Sequence, residues 1–335
     1  MKAIVYATAG LPIDDPQSLY EAELPKPEPG PRDLLVRIDA IAVNPVDLKL
    51  RQGVQPGEPR ILGWDAAGTV EAVGGSVELF APGDRVWYAG DITRPGSYAE
   101  YGLVDERIAS RRPATLSAAD AAALPLTAIT AWELLFDRLH VAEGGGAGQS
   151  LLVIGAGGGV GSILIQLARK LTALTVVGTA SRPETQAWVA GLGAHHVIDH
   201  AKPLKSQLAV AGIEQVDHVI SLTHTDTYYA QIVEILKPEG QLALIDDPAT
   251  LDAMPLKRKS ISLHWEFMFT RSMYRTPDMI RQHALLERVA TLIDDGVLKS
   301  TVGEHLGRID AANLRRAHAL LEAGRAKGKI VLEGF

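Results

Sequence analysis

The chain has 335 residues, long enough for two domains that each bury a core. Hydrophobic residues make up 47% and charged residues 22%, the proportions of a soluble globular protein. A net charge of −7, with no basic run longer than Lys257-Arg258-Lys259, argues against nucleic acid or a membrane surface as partner; the absence of cysteine excludes disulfides, thiol catalysis and thiolate metal sites.

The first residues, MKAIVYATAG, hold no long apolar stretch after their lysine and read as a strand, not a signal peptide, so a cytoplasmic protein is expected. From there to residue 125, short alternating runs (LLVRIDAIAVN, GTVEAVGGSV, GDRVWYAG, GSYAEYGLV) are punctuated by Gly, Pro and Asp, as in a β-rich barrel or sandwich. LPKPEPGP at 24–31 is a proline-rich turn within this part, and GGGAG at 144–148 is a connecting loop.

Leu151–Leu171 reads LLVIGAGGGVGSILIQLARKL. Residues 151–168 carry no charge, but five of them are glycine, a poor composition for a membrane-spanning helix. The run divides instead into a buried strand, LLVIG, a turn, GAGGGVG, and a helix with Val160, Ile163, Leu164, Leu167, Ala168 and Leu171 on one face. The N–H groups and dipole at the start of such a helix favour an anion. Ala156-x-Gly158-x-x-Gly161 is a dinucleotide fingerprint with alanine first, completed by Gly159 and Val160.

Further strand-like runs follow: LTVVGTA at 174–180, HHVID at 195–199, VDHVISL at 216–222, QLALID at 241–246 and SISLHWEFM at 260–268. Helical runs such as PETQAWVAGL and YYAQIVEILK separate several of them. With LLVIG they make the six strands of a doubly wound dinucleotide-binding sheet, an α/β fold. An NAD-binding domain places an acid at the end of the second strand, for the ribose 2′-hydroxyl. Here Ala180, Ser181 and Arg182 stand there, so no carboxylate repels a 2′-phosphate while a hydroxyl and a guanidinium can bind it. NADPH is therefore the expected cofactor. Ser181-x-x-Glu184 also reads as a capping box, which leaves Arg182 free. HHVIDH at 195–200 sets His196 and His200 on one face of a strand and His195 and Asp199 on the other, so it reads as polar residues at a strand end. The C-terminal DAANLRRAHALLEAGRAKGKIVLEGF reads as helix then strand, a strand late enough to return to the first domain.

NPVDLKLRQG at 44–53, ILGWDAAGTVEAVG at 61–74, APGDRVW at 81–87, GSYAEY at 96–101, LPLTAITAWELL at 124–135, the AGGGVG turn and the terminal GKIVL come in the order seen in medium-chain dehydrogenase/reductases. Over nearly its whole length the chain resembles that superfamily. It is most similar to the zeta-crystallin-like quinone oxidoreductases, including members labelled zinc-type alcohol dehydrogenase-like. The resemblance implies a Rossmann doubly wound parallel sheet at 126–270. It also implies a GroES-like β-rich catalytic domain split between 1–125 and 271–335, with the active site in the cleft between the two. A homodimer joined through the edge of the Rossmann sheet at 260–269 is implied as well. Cofactor contacts are implied for His200, bordering the adenosine 2′-phosphate, for Leu222 at the close of VDHVISL, and for Lys329 of GKIVL, which otherwise reads as a solvated lysine.

In the zinc enzymes of the superfamily two cysteines and a histidine hold the metal. Those positions fall on Asn44, Leu126 and Trp64, and the proton-relaying hydroxyl falls on Val46. Asn and Trp are poor zinc ligands and Leu is none, so no metal is expected. Without a Lewis acid, oxidation of a simple alcohol is difficult. Hydride addition to a quinone or an α,β-unsaturated carbonyl asks only that charge spread into an enolate or phenolate. Asn44 is the first choice to polarise the substrate oxygen, its other reading being a cap for the helix of NPVDLK. Thr130 matches a position beside the nicotinamide, or is a threonine bonded to its own helix. Tyr88, with Trp64 and Trp265, lines an apolar slot for a flat substrate, or belongs to the core. Asp47 fixes local structure, and with no general acid in view, water serves. The expected activity is NADPH-dependent, metal-independent reduction of a quinone or enone. A 2-alkenal or enoyl-thioester reductase is the alternative enzyme, and a non-catalytic NADPH-binding sensor or structural protein the alternative of another class.

Overall fold

Strand β1, Ser150–Ile154, is buried at every position, as a strand covered on both faces must be. In the computed structural model, which describes residues 1–335, β1 lies inside a six-stranded parallel sheet. Its other strands are β2 (Thr175–Thr179), β3 (His196–Ile198), β4 (Val216–Ser221), β5 (Leu236–Leu244) and β6 (Ser262–Trp265). The spatial order is β3-β2-β1-β4-β5-β6, the doubly wound dinucleotide-binding order. All six lie on the strand-like runs read from the sequence. β5 starts earlier than QLALID because Glu239 adopts φ +63° and its N–H donates to Lys259 O, which lets LKPEG bend into the strand.

Helix α1, Gly159–Leu171, follows β1. The sequence expects one apolar face, yet residues 161–168 are buried without a break. Two polar side chains are accommodated inside: Ser162 Oγ donates to Gly158 O and accepts from Trp188 Nε1, and Gln166 Nε2 donates to Ser162 O.

The parallel sheet belongs to one compact unit, Thr130–Met268; Met1–Ile129 and Phe269–Phe335 form the other. These bounds differ by a few residues from 126–270. The Leu126 N–H donates to Asp65 Oδ1 (2.8 Å), and the Phe269 ring packs edge-on against Trp64, which ties both residues to the second unit.

That unit is built on Asp33–Val43, eleven residues paired on both sides and mostly buried. Ala66–Val73 lies along one side of it, and Tyr101–Asp105 and Lys329–Glu333 share the other. The terminal strand pairs Ile330 with Val43, so residues nearly a chain length apart become neighbours. Helix Pro45–Gly53 leaves directly from the end of the long strand, with Asn44 between them.

Candidate functional site

Past β1 the chain reverses at Gly155, whose φ of +82° is a conformation that favours glycine. Gly158 is the extended residue that starts α1. Gly161 is demanded by close approach: a Cβ there would lie 2.6 Å from Ala156 Cα, Ala156 O and Gly155 O. The fingerprint is thus shifted from its sequence reading. Gly155 makes the sharp turn, and Ala156, fully buried, fills the space beside it. Gly159, Val160 and Gly161 occupy the first turn, whose N–H groups have no partner within the helix. N–H groups so placed can hold an anion without any side chain. Leu222 is brought to the same turn: its N–H donates to Ile154 O, and its Cβ would lie 3.4 Å from a Cβ on Gly155.

At the end of β2, Ser181 is exposed and no carboxylate precedes it. The expected capping box does not form. Arg182 is the residue before helix Pro183–Gly191, and the Glu184 carboxylate turns to the Arg182 guanidinium at 3.1 Å. Arg182 is therefore paired rather than free. An exposed pair of this kind contributes at most about 1 kcal/mol, so the guanidinium can be drawn to a stronger anion. His200 lies beyond β3, edge-on to Tyr228 at 6.1 Å, with its pKa lowered by burial. His195, expected in a strand with Asp199, instead precedes β3; its Nδ1 accepts the Val176 N–H (2.8 Å). A residue the sequence did not single out, Asp246, just beyond β5, accepts from both the N–H and the hydroxyl of Thr225, fixing the start of helix Thr225–Ile235, which follows β4.

In the other unit, Asn44 is buried and its amide is already engaged. Nδ2 donates to Asp65 Oδ2 (2.9 Å), while Oδ1 accepts from the Lys329 ammonium. Its backbone N–H donates to Asp47 Oδ2, half of a capping arrangement for Pro45–Gly53. The amide that the sequence offers to a substrate oxygen is spent inside the protein. Lys329 also departs from expectation, being buried rather than solvated. It is 3% exposed and held by Val43 O (3.0 Å), Asn44 Oδ1 and Asp65 Oδ2 (2.9 Å). Trp64 is buried, with Nε1 donating to Asp91 O, and Tyr88 is buried with its hydroxyl unpartnered and its pKa pushed far up by burial. Tyr88 is thus a core residue and a poor acid, while Trp265 is 52% exposed. Thr130 is buried within helix Pro125–Trp132.

Behind Asn44 runs a second buried chain. The Tyr98 hydroxyl donates to Asp47 Oδ2 (2.7 Å) and lies 3.2 Å from His318 Nε2. Burial pushes Asp47 up to about 7 and His318 down to about 3. Around pH 5 the folded chain therefore carries its proton on Asp47, and the unfolded chain carries it on His318. For Asp47 the folded state holds the extra proton, so stability falls as pH rises from about 4 to 7. For His318 the unfolded state holds it, so stability rises with pH between about 3 and 6.5. Where the windows overlap, the slopes cancel. His318→Gln removes only the rising one, so its stability between about pH 4 and 6.5 should fall by about 1.4 kcal/mol per pH unit relative to the parent. Urea unfolding across that window checks this, and parallel slopes would exclude it.

Two family profiles match the chain: one described as an alcohol dehydrogenase GroES-like domain, over residues 30–114, and one described as a zinc-binding dehydrogenase, over residues 192–332. A zinc-type alcohol dehydrogenase-like protein of Staphylococcus aureus is 43% identical over 319 residues, covering 94% of each chain. A crystal structure from Rhizobium etli, provisionally described as a zinc-dependent alcohol dehydrogenase, superposes with a TM-score of 0.96 at 53% identity, over 100% of this chain and 98% of that one. A quinone oxidoreductase of Pongo abelii is 29% identical over 93% of this chain and 92% of its own.

Proposed function

As the chain belongs to the medium-chain dehydrogenase/reductase superfamily of oxidoreductases, we propose that it reduces a quinone or an α,β-unsaturated carbonyl with NADPH and without a metal. The observation that carries this reading is the donor set around Asn44. Zinc is implied by the names of several relatives, but the residues here do not fit it. The Asn44 amide is bound to Asp65 and Lys329, the Trp64 indole N–H donates to a carbonyl, and Leu126 has no donor atom. The oxygens best suited to a cation already hold the Lys329 ammonium.

NADPH fits the other unit. Gly158, Gly159, Val160 and Gly161 would cradle its pyrophosphate, Leu222 would pack beside the turn, and Ser181 and Arg182 would take the 2′-phosphate, with His200 bordering it. When bound, this cofactor supplies hydride to a conjugated acceptor. Thr130 is assigned to the nicotinamide side. Asn44 becomes a positioning residue, locking the end of the long strand to the helix after it. A simple alcohol or ketone is a poor substrate, since Asn44, Trp64 and Leu126 do not suit a Lewis-acid metal.

Oxidation of NADPH and NADH in the presence of EDTA, with an ortho-quinone, a 2-alkenal and a simple aldehyde, tests the reading. NADPH-selective turnover of either conjugated acceptor supports it and ranks quinone against alkenal. Tight NADPH binding without turnover would favour a sensor or structural protein instead. Arg182→Ala should weaken NADPH by about 1–3 kcal/mol and leave NADH nearly unchanged, as expected for one charged hydrogen bond. Equal losses in titrations with the two cofactors would reduce Arg182 to a turn residue. The exposed Trp265 and Phe267 on and beyond edge strand β6 support a homodimer through residues 260–269; a single protomer mass in sedimentation would overturn that part.

A further inference from the structure

The strand order of the parallel sheet turns back between β1 and β4. In a doubly wound sheet the ligand lies in the crevice at that point, outside the carboxyl ends of the strands. On the β1 side the crevice starts with Gly155. On the β4 side it starts with Leu222 and Thr223: a Cβ on Gly155 would lie 3.0 Å from Thr223 Cγ2 and 3.4 Å from Leu222 Cβ. The next residue is His224.

His224 holds a left-handed backbone, φ +52° and ψ +38°. Histidine is one of the few residues besides glycine enriched there, and backbone strain of this kind collects at ligand sites. Helix Thr225–Ile235 does not call for the side chain. His224 makes no side-chain cap, and Asp246 holds the N–H and hydroxyl of Thr225 instead. The imidazole is exposed, with Nδ1 2.6 Å from the Thr223 hydroxyl, a contact that restrains the plane of the ring in either tautomer. Glycine would hold this backbone without strain, so what histidine adds is its ring.

β3 and β4 are separated in the sheet by β2 and β1, yet the residues that follow them meet. His200, after β3, packs edge-on against Tyr228, whose N–H donates to His224 O. Burial holds the His200 pKa down, the Asp199 charge opposes this, and the His224 charge adds to it, so the two imidazoles are near neighbours.

We propose that His224 is a further cofactor-binding residue, whose imidazole packs against the adenine ring on the β4 side of the crevice and sets the affinity for the adenosine half of NADPH. This rests on the NADPH reading above. The adenosine half is assigned because Ser181, Arg182 and His200, the residues placed at the 2′-phosphate, belong to that end, and His224 neighbours His200. The flat face of an imidazole suits a purine whether or not the ring is protonated.

The test is binding of NADPH, NADH and adenosine 2′,5′-bisphosphate to the parent and to His224→Gly, which removes the ring and keeps the backbone unstrained. All three ligands should weaken by about tenfold, the scale of one base losing an aromatic partner, while the urea midpoint stays near that of the parent. His224→Asn tolerates the same backbone and should show a similar loss. Unchanged affinities, or a bisphosphate that does not bind the parent while NADPH does, would overturn the proposal and leave the cofactor reading intact. So would a loss confined to NADPH and NADH, which puts the ring at the nicotinamide half, or one confined to NADPH and the bisphosphate, which puts it at the 2′-phosphate. Failure of all three ligands to bind the parent would overturn the proposal and the cofactor reading together.

Discussion

Lys329→Met is expected to destabilise the protein by about 3–5 kcal/mol, a lowered urea midpoint at unchanged m-value. The ammonium is surrounded by Val43 O, Asn44 Oδ1 and Asp65 Oδ2, and Asp65 is fully buried. Deleting the ammonium leaves the Asp65 carboxylate with two neutral donors, Asn44 Nδ2 and the Leu126 N–H. Burial already pushes the Asp65 pKa up, and the Lys329 charge is the strongest influence opposing it. Asp65 would then take up a proton on folding or pull water into the sheet, and either costs stability. Methionine matches the stem in length, so the loss is not a cavity effect. Lys329→Met with Asp65→Asn removes both charges, and the pair of changes should be far less harmful than the single one. If the single variant unfolds within about 1 kcal/mol of the parent, the buried pair is not a support of the fold.

The contrast between what the sequence made legible and what it hid is sharpest around this lysine. The four inner parallel strands could be read because each carries an apolar run of suitable length, and burial on both faces dictates such runs. The C-terminal strand was legible for the same reason. Lys329 was not, since its three partners come from Val43, Asn44 and Asp65, and only folding brings the last strand beside the first long one. Taken locally, Asn44 is a helix cap, Lys329 a surface cation and Asp65 a charge in an apolar run, ILGWDAAG. That lone carboxylate was the available signal, because a charge inside a buried apolar run needs a partner. The strand, turn and helix of the glycine-rich stretch were nearly complete in the sequence. Only the division of labour was misplaced, because positive φ at Gly155 is a property of the turn and not of the spacing.

Gly161→Ala should abolish cofactor binding in practice, weakening NADPH by about a hundredfold or more, about 3 kcal/mol. Helix propensity alone predicts the opposite sign for stability, since alanine is favoured over glycine by about 1 kcal/mol within a helix. Here the added Cβ would sit 2.6 Å from Ala156 Cα and from the carbonyl oxygens of Ala156 and Gly155, none of which is the end of a flexible side chain. The start of α1 must move away from the turn after β1, at a cost of about 1–3 kcal/mol, and the N–H groups that define the cradle move with it. Gly158→Ala separates the two effects. Gly158 has φ −80°, and a Cβ there meets only Gly155 O, at 3.5 Å, so the fold should be unchanged. Affinity should still fall, because Gly158 is where the backbone would approach the pyrophosphate. Thermal unfolding and NADPH titration of both variants give four numbers. Loss of stability and affinity in Gly161→Ala, with loss of affinity alone in Gly158→Ala, fits a phosphate cradle; parent-like NADPH affinity in Gly161→Ala would mean that the dinucleotide does not bind over this turn.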